Sequence, residues 1–364
     1  MNLNKIENTV KLIKQVEKTH RGLGLVCDFL EANAHAQNGL ILCGEYETGK
    51  SASALGIHEF VDFPLKILGT KTISALADEK NQAIQKSMSN NRVYWTAEDL
   101  AYASEIVVSN TLKVVSALLD KHDLHHDVKG GFINLKNVKL TFVGCATYDI
   151  LQLLFKTREW IGNYSQRLFR YYVLPFLPFT PTDQNPSYSL NPSPIYEDNL
   201  SKVKLDKLDI NYKLGLKLFD SQFEPKRALI NYERWLKGHA LFNHRYIVEP
   251  EDFQILLLNY PNLRFEKWFA KRVKPSEPKI YDLDSAMLFS YCLRNMYQFA
   301  TSNTIDAIKE KFDLSERTTR ELLNNNPFLE PFILDHNKHA FIINNKVVEF
   351  FGKQRDFIEV CVNS

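Results

Sequence analysis

Gly39-Leu40-Ile41-Leu42-Cys43-Gly44-Glu45-Tyr46-Glu47-Thr48-Gly49-Lys50-Ser51 is the stretch on which the fold turns. An apolar run of strand length leads into a loop that meets the pattern GxxxxGK[ST] at every fixed position. The residue types follow from what a chain of phosphates demands. Glycines let backbone N–H groups turn inward around the anion, and a helix starting directly behind them adds its partial positive charge. Gly44, Glu45, Tyr46, Glu47, Thr48 and Gly49 make the cradle. Lys50 reaches the β- and γ-phosphates, and the Ser51 hydroxyl holds Mg²⁺. A helix over Ala52–Val61 is expected behind the loop, and ATP with Mg²⁺ is the expected ligand.

Hydrolysis also needs a carboxylate to hold Mg²⁺ through water and another to polarise the attacking water, both at the end of a strand beside the loop strand. Arg92-Val93-Tyr94-Trp95-Thr96-Ala97-Glu98-Asp99 supplies that strand end, in the order Glu-Asp. Glu98 joins Ser51 as the metal-holding pair, and Glu98 and Asp99 divide metal and water between them. The same two acids also suit the first turn of a helix, where they oppose the macrodipole. A further apolar strand, Lys139–Gly144, runs into Cys145-Ala146-Thr147, and Thr147 is the polar side chain best placed to touch a γ-phosphate or the lytic water.

Working outward, residues 4–35 read as two helices: Ile6, Val10, Ile13 and Val16 fall at helical spacing, and a second helix around Leu25–Ala34 follows the Gly22-Leu23-Gly24 break. Strand candidates at 39–44, 64–69, 92–97, 138–144 and 170–176 alternate with helical stretches, the pattern of an α/β domain with a mostly parallel sheet. Prolines 175, 178, 181, 186, 192 and 194 then mark an extended connector. From Lys213 to Asn259 the periodicity is helical, with Pro250 opening one helix. A basic bridge follows, Arg264, Lys267, Lys271, Arg272 and Lys274 interleaved with Phe265, Trp268 and Phe269; it also reads as an amphipathic helix packing its aromatics.

The last unit reads as a helix over about 283–299, a second from about 303 to Phe312, a third N-capped by Ser315, and two short strands around Asp335–Lys338. Three helices and a β-wing make a winged helix-turn-helix. Arg317, Thr318, Thr319 and Arg320 are expected on or near the exposed face of its third helix, and Lys338 near the wing tip, where they suit DNA phosphates and base edges. Glu316 and Glu321 dilute the positive field, and such modules also bind proteins. Leu124–Leu135 reads as a β-hairpin turning at Lys129-Gly130-Gly131.

The chain has 364 residues, with 45 Lys+Arg against 43 Asp+Glu and a formal charge of +2, so no global basic footprint announces a nucleic-acid partner. With 45% hydrophobic and 24% charged residues it is an ordinary globular composition, long enough for two or three domains. No apolar run approaches the ~18–20 residues of a membrane span, so no membrane partner is expected. The N-terminus lacks a signal-peptide core, and the five cysteines contain no CxxC. A cytoplasmic protein with reduced thiols is the expectation.

In this order the elements resemble the AAA+ ATPases, over roughly residues 20–350. Gly44–Ser51 looks like Walker A, Thr96–Leu100 like Walker B and Leu140–Thr147 like the sensor-1 strand. Ser165–Val173 looks like the segment carrying the arginine finger; Glu224–Leu229 with Leu236–Phe253 looks like the sensor-2 helix and lid. The resemblance implies N-terminal helices (1–36), an AAA+ P-loop core with a five-stranded parallel sheet (37–175), a connector (176–212), a helical lid (213–274) and a winged helix (280–350). It implies a homo-oligomeric ring, a hexamer, in which an arginine of one subunit completes its neighbour's site. Arg167, or alternatively Arg170, is then the finger and Arg227 the sensor 2. The hairpin is similar to the presensor-1 hairpin of DNA motors, with Lys129 on DNA phosphate, or is an ordinary surface hairpin. The domain order is similar to branch-migration motors, minichromosome-maintenance helicases and origin-recognition ATPases. An ATP-driven DNA motor is the first expectation; an ATP-switched replication initiator or helicase loader and a MoxR-like remodelling chaperone are the alternatives.

Overall fold

The computed structural model describes the chain apart from residues 79–81, 99, 101–104, 129–130, 158–159, 161–163, 175–185, 187–198, 208–211, 214–215, 217–221, 224, 269, 272–279, 282–286, 291–292, 294–303, 327–328, 336–337 and 344. Its elements are α1 (Glu7–Thr19), α2 (Gly24–Ala36), β1 (Gly39–Cys43), α3 (Lys50–Phe60), β2 (Leu65–Leu68), α4 (Ile73–Ala77), α5 (Gln82–Met88), β3 (Arg92–Ala97), α6 (Glu105–Lys121), β4 (Leu124–Val128), β5 (Gly131–Leu135), β6 (Lys139–Ala146), α7 (Tyr148–Phe155) and β7 (Leu168–Tyr172). There follow α8 (Pro225–Phe242), α9 (Pro250–Leu258), α10 (Tyr260–Trp268), the two-residue strands β8 (Ala270–Lys271) and β9 (Ile280–Tyr281), α11 (Thr304–Phe312), α12 (Glu316–Asn325), β10 (Leu329–Asp335), β11 (Lys338–Ile343) and α13 (Asn345–Asn363).

The five apolar runs pair as one parallel sheet in the order β2-β3-β6-β1-β7. All five residues of β1 are buried, as suits a strand covered on both faces. It runs beside β6 from Gly39↔Phe142 to Cys43↔Ala146 and beside β7 from Gly39↔Leu168 to Cys43↔Tyr172. The connections β1-α3-β2 and β3-α6-β6 cross the sheet in opposite directions, so right-handed crossovers put α3 and α6 on opposite faces. One expectation changes here. The strand ending at Glu98 does not adjoin the loop strand, because β6 lies between them. The last strand of the sheet also begins at Leu168, two residues ahead of the run read from Arg170.

Helix α2 packs against α1, α3 and α8. Gly238 of α8 approaches it so closely that a Cβ would lie 2.3 Å from the Ala32 carbonyl oxygen, which only glycine permits. Beside that crossing Phe29 stacks on Trp235 with ring centroids 5.1 Å apart. Helix α1 joins the same body: Asn8 donates to the Phe242 carbonyl at 2.7 Å and the Asn243 side chain accepts from the Thr9 N–H at 3.2 Å. Helix α9 opens as expected at Pro250, with a reciprocal capping box between Glu249 and Asp252.

The C-terminal region contains α11, a turn and α12, with the Ser315 side chain accepting from the Thr318 N–H at 3.1 Å, then the antiparallel pair β10–β11. Beyond it stands a 19-residue helix, α13, that the sequence reading did not foresee. Its buried residues Val347, Phe351, Gln354, Ile358 and Cys361 recur at helical spacing, so the signal was present. α13 packs against α1, and Gln354 donates to Asn262 of α10 at 2.8 Å.

His239 is the electrostatic centre of this assembly. Its ring is fully buried, with Nδ1 at 2.6 Å from Asp252 Oδ1 and Nε2 at 3.1 Å from Thr9 Oγ1 and 3.6 Å from Asp28 Oδ2. Burial pushes its pKa down, but the Asp28 and Asp252 carboxylates outweigh that and raise it to about 9. Asp252, further paired with Arg245, is held below the usual carboxylate range although burial alone would raise it. A raised histidine pKa stabilises fully below the unfolded value of ~6.5 and is lost as pH rises through the folded one. The thermal midpoint should therefore fall between pH 6.5 and about 9, and His239→Gln should abolish that slope while lowering stability throughout. A wild-type midpoint flat across this window would contradict the assignment.

Candidate nucleotide-binding site

The loop Gly44–Ser51 leaves the C-terminal end of β1 and closes on the first turn of α3. It is anchored on both sides of its strand: the Gly44 N–H donates to the Ala146 carbonyl at 3.3 Å, and the Val173 N–H donates to the Cys43 carbonyl at 2.8 Å. Within the loop the Thr48 hydroxyl donates to the Glu45 carbonyl at 2.9 Å. Gly49 ends it in the left-handed region at φ 82°, and a Cβ there would strike Leu23 at 2.7 Å. Leu23 sits in the Gly22–Gly24 turn between α1 and α2, so that turn is the floor of the loop. The sequence reading took it only as a helix break.

Lys50 is 7% exposed, its ammonium hydrogen-bonded to the Glu45 carbonyl and within 3.4 Å of Thr48 Oγ1. Ser51 donates to the Glu98 carbonyl at 3.0 Å, reaching past the end of β6 because α3 crosses the sheet toward β2. Glu98 is half-buried just beyond β3, and Leu100 returns to β6 through its N–H on the Cys145 carbonyl at 3.0 Å. Asp99 lies outside the described residues. Thr147 follows Ala146, the residue bonded to the loop, and precedes α7. Its hydroxyl is buried, does not cap the helix, and has no hydrogen-bond partner among the described residues. Glu47 adopts φ 57° and Tyr46 is 64% exposed at the loop's outer edge.

These features fit a nucleotide with Mg²⁺. The cradle carries a buried ammonium, a helix N-terminus stands behind it, the Thr147 hydroxyl has no partner among the described residues, and Ser51 lies against the backbone of Glu98, the hydroxyl and acidic residue types that would hold the cation.

The arginines lie at the other end of the sheet. Leu119 and the Arg167 carbonyl close around Gly39, the first residue of β1. On the last turn of α6, Asp120 accepts Arg167 Nη2 at 3.0 Å on Oδ2 and Arg227 Nη2 on Oδ1. Burial would raise Asp120, but the hydrogen bonds from Arg227 and Arg167 more than offset it and hold the carboxyl below its usual range. A five-residue strand at ~3.3 Å per residue separates this pair from the loop by about 16 Å. Asp120 was not singled out from the sequence. Its signal was a carboxylate on the last turn of a helix, where the macrodipole disfavours it.

Arg170, the alternative finger, is 1% exposed and fully engaged. It grips Glu266 of α10 at 2.7 and 3.0 Å and donates to the carbonyls of Ser165, Leu168 and Gln222. It joins the sheet edge to the helices beyond. Among the DNA candidates, Arg317 pairs with Glu321 and Arg320 with Glu316, each at 2.9 Å along α12, and the Thr318 hydroxyl lies 2.7 Å from Ser315 Oγ. Thr319, expected on or near the exposed face, is instead buried, with its hydroxyl on the Ser315 carbonyl at 3.0 Å, because it faces the same side of α12 as Leu323. Lys338 stands in β11 opposite Asp335. The hairpin β4–β5 forms as expected, and its tip residue Lys129 lies outside the described residues. Among the described residues, no helix is long and apolar enough to cross a membrane.

No protein-family model matches this sequence, and no curated protein matches it. Among solved structures the chain is similar to the crystal structure of a full-length MCM homologue from Methanopyrus kandleri, at 11% identity and a TM-score of 0.42. The match covers 72% of this chain and 60% of that one.

The two arginines of β7 and its approach should separate by experiment. Arg170→Ala leaves Glu266 buried without its partner and should cost about 3–5 kcal/mol in denaturant unfolding. Arg167→Ala breaks the partly exposed pair with Asp120 and should cost about 0–1 kcal/mol.

Proposed function

We propose that the chain hydrolyses ATP with Mg²⁺ at Gly44–Ser51 and uses the cycle to drive a ring of AAA+ subunits along DNA. The observation that carries this reading is the convergence on one loop of a buried Lys50, a hydroxyl on Thr147 without a partner among the described residues, and Ser51 tied to the backbone of Glu98. Backbone N–H groups and Lys50 bind the phosphates, and Thr147 meets the γ-phosphate or the attacking water. Glu98, with Asp99, orients and polarises that water. Mg²⁺ held by Ser51 and Glu98 supplies charge neutralisation on the β- and γ-oxygens.

The position of Arg167 and Arg227, one strand length from the loop of their own chain, supports a role at the loop of an adjoining copy and hence an oligomer. A hexameric ring is the proposed form. The helices α11 and α12 with the β10–β11 ribbon are read as a winged helix on DNA. The pairs Arg317–Glu321 and Arg320–Glu316 are exposed i,i+4 pairs worth about 0.3–0.5 kcal/mol each, so exchanging them for phosphate costs little. Lys129 on the hairpin tip, with Thr318 and Lys338, completes the proposed contacts.

Steady-state hydrolysis by wild type and Lys50→Ala, with and without single- or double-stranded DNA at two salt concentrations, tests this. Wild type should hydrolyse ATP faster with DNA, more so at low salt, and Lys50→Ala should do neither. Stimulation by no DNA at all would remove the motor and initiator readings and leave the remodelling chaperone. Thr147→Val should keep unfolding stability within about 0.5 kcal/mol, since no hydrogen bond to a described residue is lost. It should lower turnover about tenfold or more.

A further inference from the structure

Resting on that reading, we infer that Asp120 is a positioning residue that yokes Arg167 and Arg227 into a single unit serving the nucleotide of the adjoining copy. Two guanidinium groups reach the two oxygens of one carboxylate, Arg167 from the approach to β7 and Arg227 from the first turn of α8. Without a shared anion, two like charges this close repel and separate. With it, they stand side by side with a net charge of +1 and turn together toward a phosphate chain.

The setting carries the inference beyond a surface ion pair. Asp120 occupies a helix end that disfavours a carboxylate, yet it is held ionised by its two partners. It borders an open cleft of about 530 Å³ whose lining includes Lys113, Ser116, Lys121, Asp123, Tyr164 and Arg167. Ser116 is 5% exposed and its hydroxyl has no hydrogen-bond partner among the described residues. Lys113, Lys121 and the two arginines of the yoke outnumber the carboxylates of Asp120 and Asp123, so the cleft suits the polyanionic end of a nucleotide presented by a second copy of this chain. The yoke also links α6, β7 and α8, so the angle between core and α8 sets where both arginines point.

The test uses full-length Asp120→Ala and Asp120→Asn, the second keeping the side-chain volume if the first fails to fold. Each variant should bind ATP within about twofold of wild type, because its own loop is intact, while turnover falls about tenfold or more. Asp120→Ala combined with Arg167→Ala and Arg227→Ala should lose no more than the two arginine variants together, as residues acting as a unit do. Mixing Asp120→Ala with Lys50→Ala subunits 1:1 should restore turnover, since about a quarter of interfaces in a random ring then join an intact Lys50 to an intact Asp120. Full turnover in Asp120→Ala beside an inactive Arg167→Ala would overturn the yoke. So would a loss that Lys50→Ala subunits relieve for Arg167→Ala but not for Asp120→Ala or Asp120→Asn. A wild type that hydrolyses no ATP would instead overturn the reading on which the yoke rests.

Discussion

The five-residue strand β1, held in register between β6 and β7, is the constraint on which the molecule depends. Its C-terminal end fixes where Gly44 turns, because Ala146 and Val173 hold the chain on either side. Its N-terminal end lies beside Leu119 and Arg167, and so beside Asp120. The candidate nucleotide loop is attached to the first end and the arginine pair on Asp120 to the second. A parallel sheet makes this separation unavoidable: all five strands start at one edge and finish at the opposite one.

The second constraint is the close crossing of α2 and α8 at Gly238. It brings the buried charges of Asp28, His239 and Asp252 together, and through Thr9 and Asn8 it attaches α1 as well. Since the turn between α1 and α2 is the floor of the loop at Gly49, a shift of α8 bears directly on the phosphate cradle. The same helix begins at Arg227. Helix α8 thus touches both ends of the sheet: the loop through α2 and Leu23, the arginine pair through Asp120.

Most of this architecture was legible in the residues. The loop, all five strands of the sheet, the hairpin, the Ser315 cap and the Pro250 helix start were each marked by local chemistry: glycine spacing, apolar runs, an N-capping hydroxyl, a proline at a first turn. What escaped depended on contacts distant in sequence. Asp120 gains meaning only from Arg167 and Arg227, and Leu23 only from Gly49. Strand order is likewise a tertiary property, so the insertion of β6 between β1 and β3 could not be read from spacing. Thr319 followed the opposite course, since its polar type suggested exposure while its place beside Leu323 on α12 buried it. The helix α13 lies beyond the wing at which the sequence reading ends the last domain, although its apolar spacing is visible.

The central claim is that one copy holds the nucleotide and another completes the site. The specific rate of ATP hydrolysis, measured as protein concentration is raised from nanomolar to micromolar, tests it most directly. The account predicts a specific rate that climbs with concentration and levels off as the assembly fills. A specific rate constant across that range, set by a chain that sedimentation shows to be monomeric, would contradict it.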